Sequence, residues 1–134
     1  MSKKKIDIYA DGISIKDKNK IDKLVDGYTF NPSIFRKLGV KDYLKFCKEL
    51  SRKIKVKPLS LEVIADNEAE MIRQSLILSK LGKNIYVKIP ITYTNSKSTI
   101  RVIKELVKRK VNLNITAIFN FNQVKRILKF IKNT

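Results

Sequence analysis

Apolar and polar residues alternate along this chain with two different periods. Stretches of period two, the mark of a strand with one face in a core, cover residues 6–11, 26–31, 59–65, 84–90 and 112–119. Between them the spacing lengthens to the three or four of a helix. A short helical stretch is expected over 14–24. Asn31-Pro32-Ser33 reads as a turn into a helix that breaks at Gly39 and resumes from Lys41, with Leu44, Cys47, Leu50 and Ile54 on one face and Pro58 closing it. Asp66 and Asn67 offer N-caps, with Glu70 three residues after Asn67, to a helix marked on one face by Ile72, Leu76 and Ser79 and stopped by Gly82. Serine and asparagine at 95–98 start a helix in which Ile100, Ile103 and Val107 share a face. The last carries Val124, Ile127, Leu128 and Ile131 and runs nearly to Thr134.

Strand and helix thus alternate five times with short connections, the order of a parallel sheet covered by helices. An open doubly wound sheet and a (β/α) barrel both have that order, and side-chain parity separates them. The polar residues of the strands are Asp7 and Asp11, Thr29 and Asn31, Ser60 and Glu62, Lys88, and Asn114 and Thr116. Within a strand they sit two or four apart, and their neighbours Ile8, Phe30, Leu61, Val87 and Ile115 are apolar. One face is greasy and meets helices; the other carries a polar residue from every strand. A doubly wound sheet has helices on both faces, so the expected fold is α/β, a partial TIM barrel of about five of eight βα units with parallel strands, in one domain over residues 1–134.

The polar residues lie towards the C-terminal ends of their strands, where barrel enzymes keep their active sites. Asp11, Asn31, Glu62, Lys88 and Thr116 are therefore expected to converge on one pocket. Lys88 is the unusual member, because it stands near the end of the β-branched and aromatic run Asn84-Ile85-Tyr86-Val87-Lys88-Ile89-Pro90. Burying an unpartnered ammonium costs several kcal/mol, and a common relief is a neutral amine. A neutral amine is a nucleophile suited to Schiff-base chemistry with a carbonyl substrate. The plain alternative is a solvent-facing lysine on a half-buried strand.

Composition narrows the chemistry. Histidine is absent from the 134 residues, which removes the commonest metal ligand and general base, so no metal site and no cofactor are expected. The single cysteine, Cys47, falls on the apolar side of a helix and reads as a core filler in a reducing compartment. No apolar run is long enough to cross a bilayer, and the basic start at residues 2–5 lacks the apolar segment of a secretory signal; a cytoplasmic location is expected. The formal charge of +18 predicts non-specific attraction to polyanions. The lysines are spread over every helix without interleaved aromatic residues, so no specific nucleic-acid or membrane partner is expected.

The residues now resemble a known family. Asp11, Thr29-Phe30-Asn31-Pro32-Ser33-Ile34, Ser60-Leu61-Glu62-Val63, Val87-Lys88-Ile89-Pro90, and Asn114-Ile115-Thr116 followed by Phe119 and Gln123 look like the transaldolase family, including the related fructose-6-phosphate aldolases. The similarity runs from about Ile6 to Leu128. The resemblance implies that Lys88 forms a Schiff base with the ketone carbon of a sugar phosphate, and that Asp11 removes and later returns the hydroxyl proton on which carbon–carbon cleavage depends. It implies that Glu62 and Thr116 hold the water that shuttles protons, and that Thr29, Asn31 and Asn114 bind the hydroxyls of the three-carbon fragment. Glu62 with Asn114 and Thr116 is more similar to the transaldolase branch. The implied reaction is transfer of a dihydroxyacetone unit from a ketose phosphate to an aldose phosphate, in the pentose phosphate pathway.

Three positions depart from the family pattern: Gly12, Phe30 and Asn120 stand where threonine or serine is usual, all expected near the pocket. The chain also stops after its fifth helix, whereas a barrel of this type needs eight units and at least about 200 residues. The expectation is a fragment of a longer protein, a truncated and inactive product, or a half-barrel completed by another chain. Its partners would be a sugar phosphate together with further copies of the chain or a missing C-terminal half. The rival reading is a basic polyanion-binding α/β module.

Overall fold

The structure, a computed structural model, describes residues 6–14 and 16–131. The basic start at residues 2–5 and the end of the last helix beyond residue 131 lie outside the described residues. Five strands, β1 (Tyr9–Asp11), β2 (Gly27–Phe30), β3 (Leu59–Glu62), β4 (Ile85–Pro90) and β5 (Leu113–Thr116), form one sheet in the order β1-β2-β3-β4-β5, every pair parallel. The spatial order follows the chain without reversal. A doubly wound sheet changes direction part-way; a barrel wall does not.

Helices α1 (Lys18–Ile21), α2 (Pro32–Lys37), α3 (Tyr43–Lys53), α4 (Glu68–Ser79), α5 (Ile100–Lys108) and α6 (Phe121–Ile131) occupy the connections and the C-terminal end, with a 3-10 turn at Asp22–Leu24. Local chemistry starts three of them. The side-chain oxygens of Asn31, Asp42 and Asn67 each accept a hydrogen bond from the backbone N–H three residues on, at 3.0 Å, and Pro32 takes the first helical position where its missing N–H matters least. Glu70 does not complete a capping box; it pairs with Arg73 instead.

The greasy face of the sheet and the helices over it make the core. Tyr28, Phe30, Leu59, Leu61, Ile85, Val87 and Ile89 are fully buried against Cys47, Leu50, Met71, Leu78, Val102, Ile103, Leu106 and Ile127. Ile115 is only half buried and Ile8 is exposed, because Ile115 lies on the edge strand β5 and Ile8 just before the edge strand β1. Phe30 was expected beside the pocket, but its parity puts it in the core, where its ring stacks on Phe35 at 6.1 Å and meets the edge of Phe46. Among the described residues no helix is long and apolar enough to cross a membrane.

Two helices present different stripes from those the spacing predicts. On α4 the buried residues are Met71, Ser75 and Leu78, with Ile72, Leu76 and Ser79 half buried beside them. Apolar residues lie on several sides of this helix, so spacing alone cannot rank the sides; contact with β4 on one and α5 on another does. Ser75 enters the core because its hydroxyl donates to the Met71 carbonyl at 2.6 Å. On α5 the stripe is Val102, Ile103 and Leu106, while Ile100 and Val107 are half buried. Leu128 on α6 faces outward. The strands are also shorter than predicted, since alternation continues into turns where ladder bonds have stopped.

Candidate active site

Register turns the parity argument into a surface. Asp11 pairs with Thr29, Thr29 with Ser60, Glu62 with Lys88, Lys88 with Asn114, and Pro90 with Thr116. Paired residues of parallel neighbours point the same way, as do residues two apart in a strand. Asp11, Thr29, Ser60, Glu62, Lys88, Asn114 and Thr116 therefore share the face turned away from the helices. Asn31 continues the phase of β2 in an extended conformation, but its side-chain oxygen is held by the cap of α2.

That face is concave. Asn114 Nδ2 donates to Ser60 Oγ at 3.1 Å, and Lys88 Nζ donates to Thr29 Oγ1 at 3.1 Å. Each bond crosses an intervening strand. Strands two apart in a flat sheet lie roughly 9.5 Å from each other with side chains standing upright, too far for an asparagine to touch a serine. Only a sheet curled towards this side brings them together.

Lys88 is 8% exposed, the most buried cation among the described residues. Besides Thr29 it meets Glu62, with Nζ 3.5 Å from Oε2, an ion pair longer than a charge-assisted hydrogen bond. Burial pushes the Glu62 carboxyl above its ordinary range; the Lys88 ammonium pulls it back and the nearby Asp11 carboxylate adds to the rise. Two carboxylates thus sit in different surroundings, Glu62 half buried beside a cation and Asp11 exposed to solvent, the division of labour that acid–base chemistry uses.

The backbone beneath is tied down. Tyr43, at the start of α3, donates its hydroxyl to the Glu62 carbonyl at 2.5 Å, and the Val63 N–H bonds the Lys88 carbonyl at 3.2 Å. Burial raises the Tyr43 hydroxyl and pushes the Cys47 thiol up to about 12, so neither exchanges protons near neutrality; Cys47 packs in the core as expected. Among the described residues no group of Cys, Asp and Glu is placed to hold a metal ion.

Gly12 and Asn120 are structural at their positions. Gly12 has φ +70°, and a Cβ there would lie 2.6 Å from the Ile34 side chain. Asn120 accepts a hydrogen bond from the Gln123 N–H at 3.0 Å, opening α6. Two features were given no role by the sequence pattern. Ser60 orients Asn114, and its parity was its signal. Tyr9 and Tyr86 line the N-terminal end of the same face. A Cβ on Gly27 would lie 2.3 Å from the Tyr9 ring, which explains a glycine inside β2.

Comparison with known proteins gives a consistent picture. The family model described as transaldolase/fructose-6-phosphate aldolase matches residues 8–133. A probable transaldolase of Thermoanaerobacter sp. (strain X514) is 38% identical over 100 residues, covering 75% of this chain and 44% of that protein. A probable transaldolase of Dehalococcoides mccartyi is 32% identical over 118 residues, covering 87% and 53%. The chain spans about half the length of the curated relatives it matches.

Proposed function

Because the chain belongs to the transaldolase/fructose-6-phosphate aldolase family, we propose that Lys88 forms a Schiff base with a ketose phosphate and that the protein takes part in moving a dihydroxyacetone unit between sugar phosphates, the chemistry of the pentose phosphate pathway. One observation carries the reading: the least exposed cation of the described chain shares a concave polar face with two carboxylates in unlike surroundings.

In this reading the Lys88 amine attacks the ketone carbon, water leaves, and the resulting iminium takes up the electron pair when the carbon–carbon bond breaks. Asp11, open to solvent on β1, removes the hydroxyl proton of the departing fragment and returns one later. Glu62 and Thr116 hold the water that carries protons while the imine forms and breaks. Thr29, Asn31 and Asn114 receive the hydroxyls of the three-carbon unit; Asn31 does so through its amide hydrogens, its oxygen being taken by the helix cap.

The test is trapping. Fructose 6-phosphate with borohydride should add one reduced sugar adduct to the protein mass, located at Lys88 and lost in Lys88→Met. Asp11→Ala should keep the adduct and lose cleavage. A second reading, a family member that does not turn over by itself, is favoured by the open concave face, where Tyr86 remains 38% exposed; an unchanged mass with the wild-type chain would establish it. A cytoplasmic location accords with either reading.

A further inference from the structure

Charge is distributed unevenly between the two halves of the chain. From residue 71 onward there are fourteen of the thirty Lys and Arg residues but one of the twelve acids, Glu105. Part of this excess gathers at the end of the sheet opposite Lys88. An open cavity of about 430 Å³ lies between the ends of α4 and α5 and the starts of β4 and β5, lined by Lys80, Lys83, Arg109, Lys110, Ser79 and Asn112.

Arg109 is paired with Glu105 at 2.7 Å. Lys80, Lys83 and Lys110 have no ion-pair partner among the described residues. The ordinary reason for lysines here is the negative end of a helix dipole, with terminal carbonyls in need of donors. Several of those carbonyls are already served by the backbone. The N–H groups of Lys80 and Leu81 reach the Leu78 carbonyl, and those of Arg109, Lys110 and Val111 reach the carbonyls of Glu105, Val107 and Leu106. Lys110 is moreover held at φ +56°, a left-handed position where glycine or asparagine is the usual choice and other residues are strained by about 1 kcal/mol or more. A cation is thus kept where the backbone favours another residue, at the rim of a cavity already lined by cations.

We propose that this cavity is an oligophosphate-binding site, separate from the Lys88 face. Four cations against one carboxylate leave an excess of three positive charges, which matches a diphosphate or triphosphate group better than a single phosphate. The lining has no aromatic residue to stack a base, so recognition is of the phosphates alone. Both walls come from adjacent βα units within the described chain, so the site does not depend on what covers the sheet edges. Lys88 is three residues along β4 from Ile85, about 10 Å, so a bound anion does not compete with a sugar on the concave face.

The probe is inorganic tripolyphosphate, titrated calorimetrically into the intact chain near 0.15 M salt, where long-range attraction is screened beyond about 8 Å. One tripolyphosphate should bind per chain. Lys83→Gln with Lys110→Gln should weaken it by about tenfold or more, because two charge-assisted contacts are lost. Lys97→Gln with Lys129→Gln removes the same charge elsewhere and should change it by less than about twofold. Equal weakening by both pairs, several equivalent anions per chain, or tighter binding of RNA that grows with its length would each overturn the proposal and leave only diffuse attraction to polyanions.

Discussion

The two ends of this sheet treat their lysines differently. At the N-terminal end, Lys57 donates to the carbonyls of Asp22 and Val25, the latter at 2.8 Å, with the Asp22 carboxylate 3.7 Å away. Around it Tyr28 donates to Asp22 at 2.6 Å, holding that carboxyl at about 2, and Asn84 bridges the carbonyls of Ile54 and Lys57 at 2.8 Å each. At the C-terminal end Lys88 is more buried than Lys57, with a side-chain exposure of 11% against 29%. Yet it donates one hydrogen bond, to the Thr29 hydroxyl, with the Glu62 carboxylate at 3.5 Å. Lys57 is a strut bonded to two backbone carbonyls; Lys88 is more confined and less tied. In barrels of this kind the N-terminal end serves stability and the C-terminal end chemistry, and the hydrogen bonding here divides along that line.

The sharpest way to break the contrast is to truncate both lysines. Lys88→Met should abolish the trapped adduct and lower any turnover by at least about a thousandfold, as loss of a nucleophile does, with little loss of urea resistance near pH 4, where the raised Glu62 carboxyl stays neutral without its partner. Lys57→Met should leave the adduct intact and lower stability by about 1–2 kcal/mol, because two carbonyls lose their donor. If Lys57→Met also removed the adduct, the division between the ends would be wrong.

A smaller effect depends on pH. The Glu62 carboxyl is raised in the fold above the ordinary glutamate value of about 4.3. A raised value favours the fold below the unfolded pKa, and that advantage is lost as pH rises through the folded one. Glu62→Gln should therefore gain stability relative to wild type from pH 4 to pH 7, read from urea midpoints. In Lys88→Met the ammonium that pulls Glu62 down is gone, so wild-type-like Glu62 should make stability fall more steeply over the same range. The smallest effect is expected at Ser60→Ala. Asn114 would lose the partner that orients it, costing up to about 1 kcal/mol of stability and raising KM for the ketose phosphate more than it lowers kcat.

Much of this molecule was written into the order of its residues. Alternation placed five strands and their helices, and the common parity of Asp11, Thr29, Glu62, Lys88, Asn114 and Thr116 placed them on one face. Parity is legible because a strand turns every second residue the same way. Other features were hidden for equally physical reasons. Spacing could not choose which stripe of α4 meets the sheet, since apolar residues lie on several of its sides. It could not tell that the oxygen of Asn31 caps a helix, or that Phe30 belongs to the aromatic cluster with Phe35 and Phe46.

By itself, then, the sequence determined the element order, the two-sidedness of the sheet and the identity of the polar row, all properties that depend on neighbours along the chain. Only the tertiary structure decided the curvature that lets Asn114 reach Ser60 and Lys88 reach Thr29, the loose fit between Lys88 and Glu62, and the gathering of Lys80, Lys83 and Lys110 round one cavity. These depend on distances between residues tens of positions apart. Such distances are set by how the sheet curls under its helices, which no local spacing records.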